Sequence, residues 1–345
     1  MAYTTINKST EHFNTKLWSG NATDDRAISG LDFAPNWVWI KNRTDTNSYA
    51  LFDTVRGATK YIESDTTDAE ATGATFLKSF TSDGFTLGTA GRVNANSQNY
   101  VSWNWKANGA GSANTDGSIS STVSANTTSG FSVGTYSGNS TTGATVGHNL
   151  GVAPSMVIVK KTNNVGDWYC YHSGIGATKF IKLNDTAASA TNALWNNTAP
   201  TSSVFSMDNN SAVNGSGDSY VFYAFAEKQG YSKVGGSYTG NGNADGTFVY
   251  TGFKPAFVMF KQTNTSGGQW YIYDNKRGQN ELDKHLYPNL SSAEATGDNA
   301  IDILSNGFKM RSSNGDSNAS GSTYIYMAFA EAPLVGTNNV PCTAR

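Results

Sequence analysis

The sequence predicts an all-β protein, and three observations carry that prediction. The 345 residues include 17 Tyr, 17 Phe and 8 Trp, side chains that fill cores and favour strands. Charged residues make up only 14%, against about 25% in an ordinary globular chain. Solubility therefore rests on Ser, Thr, Asn and Gly, which favour turns over helices. Apolar runs are short, rich in aromatic and β-branched residues, and bounded by Gly, Asn or Asp clusters, with no helical spacing between them.

Those runs recur three times. The first marker is an aromatic, a hydroxyl residue, Gly and Asn: Trp18-Ser19-Gly20-Asn21, Tyr136-Ser137-Gly138-Asn139 and Tyr238-Thr239-Gly240-Asn241. The second is a proline leading an apolar run that ends in lysine, as Pro35 to Lys41, Pro154 to Lys160 and Pro255 to Lys261. The third is Asp53, His172 or Asp274 at the end of an aromatic run. The fourth closes the repeat with Tyr100 to Trp105, Tyr220 to Glu227 and Tyr324 to Glu331. Self-similarity on this scale, about 85 to 100 residues per copy, exceeds a solenoid unit and suits an independent core.

The expected architecture is therefore three tandem antiparallel β-sandwich modules of the jelly-roll kind. Their expected bounds are 17–108, 130–230 and 231–334. Residues 1–16 form a polar anchoring tail, 109–129 a Gly/Ser/Thr-rich connector that is either a flexible linker or a docked strand, and 335–345 a C-terminal tail. Single helical turns are expected near Asp68-Ala69-Glu70 and Ser291-Ser292-Ala293-Glu294.

Charge and motifs then exclude function classes. A formal net charge of -2 with no basic stripe argues against nucleic acid. No apolar run approaches the roughly 20 residues that span a bilayer. Met1 to Lys8 lacks a signal-peptide layout, so synthesis in a cytoplasm without ordinary export is expected. Cys170 and Cys342 lie far apart in unlike contexts and are expected as unpaired thiols.

The third marker is the place to look for catalysis, since Asp53 and Asp274 each precede an arginine by three residues, Arg56 and Arg277. A glycosidase needs two carboxylates roughly 5–10 Å apart. Each repeat offers one, and repeat two has His172 and Ile175 instead, so turn-capping carboxylates with local Asp–Arg pairs are expected and no catalytic residue is assigned. No metal is expected: Asp298, Asp302 and Asp316 lack calcium-loop spacing, and His12, His148, His172 and His285 lack zinc spacing. No cofactor is expected. A glycan platform needs exposed rings beside polar groups; Trp168, Trp195 and Trp270 are the candidates. Trp195, which has no counterpart in the other repeats, is the first choice for an exposed contact, whereas Trp168 and Trp270 suit core filling at least as well. Trp37, Trp39, Trp103 and Trp105 alternate at period two, which points each pair into a core or a module contact.

The strings Leu17-Trp18-Ser19-Gly20-Asn21, Gly30-Leu31-Asp32-Phe33-Ala34-Pro35-Asn36-Trp37-Val38-Trp39-Ile40-Lys41, Asp53-Thr54-Val55-Arg56-Gly57-Ala58 and Tyr324 to Glu331 resemble a family of marine bacteriophage proteins, especially of cyanophages. The resemblance runs from residue 17 over nearly all the remaining chain. It implies a virion structural or tail-fibre-like protein without enzymatic activity, located in the virion. It also implies other virion proteins as partners, a homo-oligomer (a trimer by analogy with phage fibres) and host surface glycans as a possible target. The expected function is a fibre, spike or adhesin component in host attachment; a capsid-surface decoration protein and a lectin-like module are the alternatives.

Overall fold

The computed structural model describes residues 4–278, 281–297 and 301–332. It is all-β, and its strands pair antiparallel in several sheets. Each sequence repeat builds an inner sheet with one strand order. Repeat one orders Phe13–Ser19, Asn99–Trp105, Trp37–Asn42 and Ala50–Asp53. Repeat two orders Phe131–Ser137, Ser219–Phe225, Met156–Lys161 and Trp168–His172, and repeat three Ser232–Thr239, Thr323–Ala332, Lys254–Gln262 and Trp270–Asp274. A smaller outer sheet lies over each one, and the two layers enclose a separate apolar cluster.

The two central strands of each inner sheet are buried on both faces along most of their length, which explains their unbroken apolar runs. In Trp37–Asn42, Val38 and Ile40 face the outer sheet of repeat one, while Trp37 and Trp39 face a fourth cluster shared by all three repeats. At its middle lie Trp105, Phe225 and Phe329, which hold the same place in the fourth marker. Their ring centroids form a triangle with sides of 6.2, 6.1 and 5.7 Å. Trp37 also stacks on Tyr223 of repeat two at 4.3 Å. The repeats thus close around one aromatic centre rather than following one another like beads.

The first marker is explained by a single helical turn in each repeat: Gly91–Asn94, Ser211–Asn214 and Gly315–Asn318. The turn's last residue is a buried asparagine whose side-chain oxygen accepts the marker Asn N–H, at 3.1, 2.9 and 3.0 Å for Asn94, Asn214 and Asn318. The marker glycine admits this contact because a Cβ on Gly138 would lie 2.3 Å from the Gly215 carbonyl oxygen; Gly240 is equally tight and Gly20 tighter still.

Two expectations are corrected, and of the two alternatives for the connector the docked strand is the one found. Residues 4–16 are not a free tail: Ile6 and Phe13 are buried in the shared centre, where Phe13 stacks on Phe329 at 5.0 Å, because the inner strand of repeat one starts at Phe13. The connector is docked, with Ser112–Asn114 and Ser121–Asn126 adding two strands to the inner sheet of repeat two. Residues 68–70 and 291–294 are not helical; instead the Glu70 N–H bonds to the Thr162 carbonyl of repeat two, and Ser291 and Glu294 bond through their backbones to Asn47 and Arg43 of repeat one. Met1 to Tyr3 and the tail from 335 lie outside the described residues.

Candidate functional site

The lysine of the second marker, the third marker and part of the fourth converge on the seams between repeats. At the first seam, between repeats one and two, the Tyr223 hydroxyl donates to Asp53 Oδ2 at 2.8 Å. At the closing seam, between repeats three and one, Trp103 Nε1 donates to Asp274 Oδ2 at 3.0 Å. Both carboxylates also cap their own turns: Asp53 accepts the Arg56 N–H at 2.8 Å and Arg56 Nε at 2.5 Å, and Asp274 accepts from Arg277 at 3.0 and 2.6 Å. The expected Asp–Arg turn cap is what the structure shows, with a cross-repeat donor added. Burial works against the Arg56 guanidinium, yet Asp53, Tyr223 and Glu70 hold its pKa above the ordinary value.

The second seam, between repeats two and three, solves the same problem with other groups. The residue matching Tyr223 and Trp103 is Met327, which donates nothing, so a carboxylate at 172 would be buried without a cross-repeat donor. His172 Nε2 instead lies 3.3 Å from the Tyr326 carbonyl oxygen. A carbonyl only accepts, so Nε2 carries the proton and Nδ1 accepts the Gly174 N–H at 3.0 Å. Burial pushes this imidazole down to about 4, which keeps it neutral.

The lysine that ends the second marker has the same task at every seam. Lys41 donates to the Ser291 carbonyl of repeat three at 2.9 Å, Lys160 to Thr67 of repeat one at 2.9 Å, and Lys261 to Thr186 of repeat two at 3.2 Å. All three are fully buried, and desolvation lowers each to about 8. Backbone N–H groups of Asn47, Gly166 and Gly267 meet the same three carbonyls at 2.9–3.0 Å. Each repeat therefore reaches back onto the one before it, and repeat one reaches onto repeat three.

Two seams leave grooves. One of about 680 Å³ runs along the second seam, and one of about 510 Å³ along the first. Both are lined mainly by hydroxyl residues at matching positions, such as Ser237 and Thr135, Thr239 and Ser137, Thr323 and Ser219. At the closing seam, Arg43 stands in the place of Thr162 and Thr263. It bridges to both oxygens of Glu294, at 2.9 and 2.8 Å, and Arg277 adds a third contact at 3.0 Å.

Residues 8–333 match the family described as Domain of unknown function (DUF7483). The chain belongs to that family. Neither a curated protein nor a solved structure matches it.

In this DUF7483 chain the three tryptophan candidates are not surface contacts. Trp195 is 1% exposed, packed edge-on to Tyr171 at 6.1 Å. It sits on the short turn Ala193–Trp195 because the outer sheet of repeat two has only two strands, and Leu194 and Trp195 fill the missing volume. Trp168 and Trp270 are buried in the shared centre and donate their indole N–H across seams, to the Glu63 and Lys182 carbonyls, each at 2.8 Å. The sequence reading missed a different pair. Phe248 and Tyr250, on the edge strand Phe248–Tyr250, are 44% and 59% exposed. Their alternation around buried Val249 is the signal that would have found them. Among the described residues no three His, Cys, Asp or Glu side chains gather to hold a metal ion, and Asp298 lies outside those residues. No helix among them is long and apolar enough to cross a membrane. Cys170 is a buried free thiol, its pKa raised by desolvation, and Cys342 lies outside the described residues.

Proposed function

We propose that this chain is a non-enzymatic structural component of a phage virion, a tail fibre, spike or adhesin element that contributes to host attachment. The observation that carries the reading is the triangle of Trp105, Phe225 and Phe329, with buried cross-repeat bonds at every seam around it. Polar groups committed in this way fix the relative placement of the repeats and hold their loops at set spacings, which suits presentation on a particle. The resemblance of the marker strings to marine phage proteins supports the virion location. Each repeat reads as a jelly-roll-like β-sandwich module, and the three-fold arrangement expected of a fibre trimer is built within one chain. Further copies would then join through outer faces, with other virion proteins as partners.

Antibody-gold labelling of purified particles, followed by cryo-electron microscopy, tests the reading. Label at the tail supports a fibre or adhesin. Label over the capsid lattice replaces it with a decoration protein, and label absent from intact particles overturns the virion role.

A further inference from the structure

The groove along the second seam differs from its counterpart in one chemically decisive way. Lys179 lines it, no carboxylate does, and Lys179 has no ion-pair partner among the described residues. In the first-seam groove the matching lysine, Lys60, is held by Glu70 at 3.2 Å. Glu70 has become Ser189 in the second groove, and the matching Arg56 has become Ile175. The second groove therefore presents one unpaired cation among neutral hydrogen-bonding groups.

Those groups are not all occupied. Ser189 donates to the Thr263 carbonyl, and the Thr263 and Thr323 hydroxyls meet each other at 2.9 Å. The Ser237 and Thr239 hydroxyls face the groove from exposed positions, and Asn264 uses its carbonyl oxygen on the Thr323 N–H, leaving its amide hydrogens available. The volume of about 680 Å³ falls within the range of small-ligand sites. A nucleic acid needs several clustered cations, which one lysine does not supply. An apolar ligand would strand these hydroxyls without partners. A chain dense in hydroxyls and carrying a negative group satisfies both.

We propose that the second-seam groove binds an acidic oligosaccharide, whose hydroxyls exchange hydrogen bonds with Ser237, Thr239 and Asn264 while its carboxylate or sulfate meets Lys179. This goes beyond the virion reading and does not depend on it, since a particle protein need not bind sugars and a sugar-binding protein need not sit on a particle.

Affinity electrophoresis of the full chain through gels containing polygalacturonate, dextran sulfate or plain dextran tests it. Retardation by an anionic polymer and not by dextran is expected, and the two anionic gels separate carboxylate from sulfate recognition. Lys179→Ala should weaken retention about tenfold, the worth of one charge-assisted contact, and Thr239→Trp should block the groove. Lys60→Ala, whose amine is already paired, should leave retention unchanged. Equal losses in both lysine variants would mean unspecific charge attraction and overturn the proposal. So would equal retardation by dextran, or retardation by none of the three polymers. Loss in a Phe248→Ser/Tyr250→Ser double variant with full retention in Lys179→Ala would move the site to the exposed aromatic pair and overturn it as well. Unchanged far-ultraviolet circular dichroism of each variant shows that folding is intact.

Discussion

The first and second seams place different chemistry at matching positions. The first joins Asp53 and Arg56 to the hydroxyl of Tyr223; the second joins His172 to a backbone carbonyl beside Met327. What is kept is a buried polar contact between repeats, while the group that makes it follows what the neighbour offers. Where the neighbour donates, the marker is a carboxylate with its own arginine. Where it does not, the marker is a donor itself and the arginine gives way to Ile175. The third marker is thus a joint, matched across the seam and not within its repeat.

Truncation should separate the two joints most sharply. Asp53→Ala leaves buried Arg56 and the Tyr223 hydroxyl without their anion, and should cost about 3–5 kcal/mol of unfolding free energy. His172→Ala leaves one carbonyl and one N–H without partners and should cost about 1–3 kcal/mol. Urea denaturation of both variants measures this, and equal costs would remove the distinction. Transplanting the first joint sharpens it: His172→Asp alone should be severely destabilising, and adding Ile175→Arg with Met327→Tyr should restore much of the loss.

The pH dependence is the next effect in size. His172 is lowered from 6.5 to about 4, so between those values the unfolded chain binds a proton that the folded chain does not. Stability then falls as pH drops through that window, by at most about 1.4 kcal/mol per unit. His12 and His148 are also lowered by burial and act with the same sign, so the slope should shrink in His172→Gln without vanishing. The three seam lysines, lowered to about 8, release their protons in the folded chain first. Stability should therefore rise from about pH 8 to about 9; nearer pH 10 the buried tyrosines, whose pKa values desolvation holds above the ordinary 10.0, oppose the rise. Thermal melts of wild type and His172→Gln at pH 4.5 to 9.5 check both arms.

The closing seam supplies the smallest contrast. Arg43→Thr installs the residue found at 162 and 263. It should cost about 1–2 kcal/mol, because the pair is partly buried and Glu294 keeps Arg277. No loss of stability would mean the bridge adds nothing to closure.

Much of this was legible in the sequence. The markers fixed the repeat, the alternation of Trp37 and Trp39 pointed both rings to one face, and the Asp53 to Arg56 spacing announced a turn cap. Closure around a shared centre was not read, because recurrence shows which positions are equivalent and not that their faces meet. A signal was present all the same. The run Trp37 to Ile40 and the run Tyr220 to Ala226 are apolar at every position, and a strand apolar on both faces needs a second layer on each side. Trp195 misled for the opposite reason: lacking a repeat counterpart, it looked free for contact, whereas it replaces volume that strands supply in the other repeats. The tail was misjudged on polarity, although Ile6 and Phe13 supplied the anchors that dock it; the connector docks as one of its two expected alternatives, held by Ile119 and Val123.

Closure itself is best tested between residues 171 positions apart, Trp103 and Asp274. A double-mutant cycle with Trp103→Phe, which removes the N–H donor together with part of the buried indole, and Asp274→Ala measures their coupling in unfolding free energy, the lost packing cancelling in the cycle. Repeats one and three meeting at this bond should give a coupling of about 1–2 kcal/mol. Additive costs, with coupling near zero, would contradict a closed ring and return the molecule to three repeats in a row.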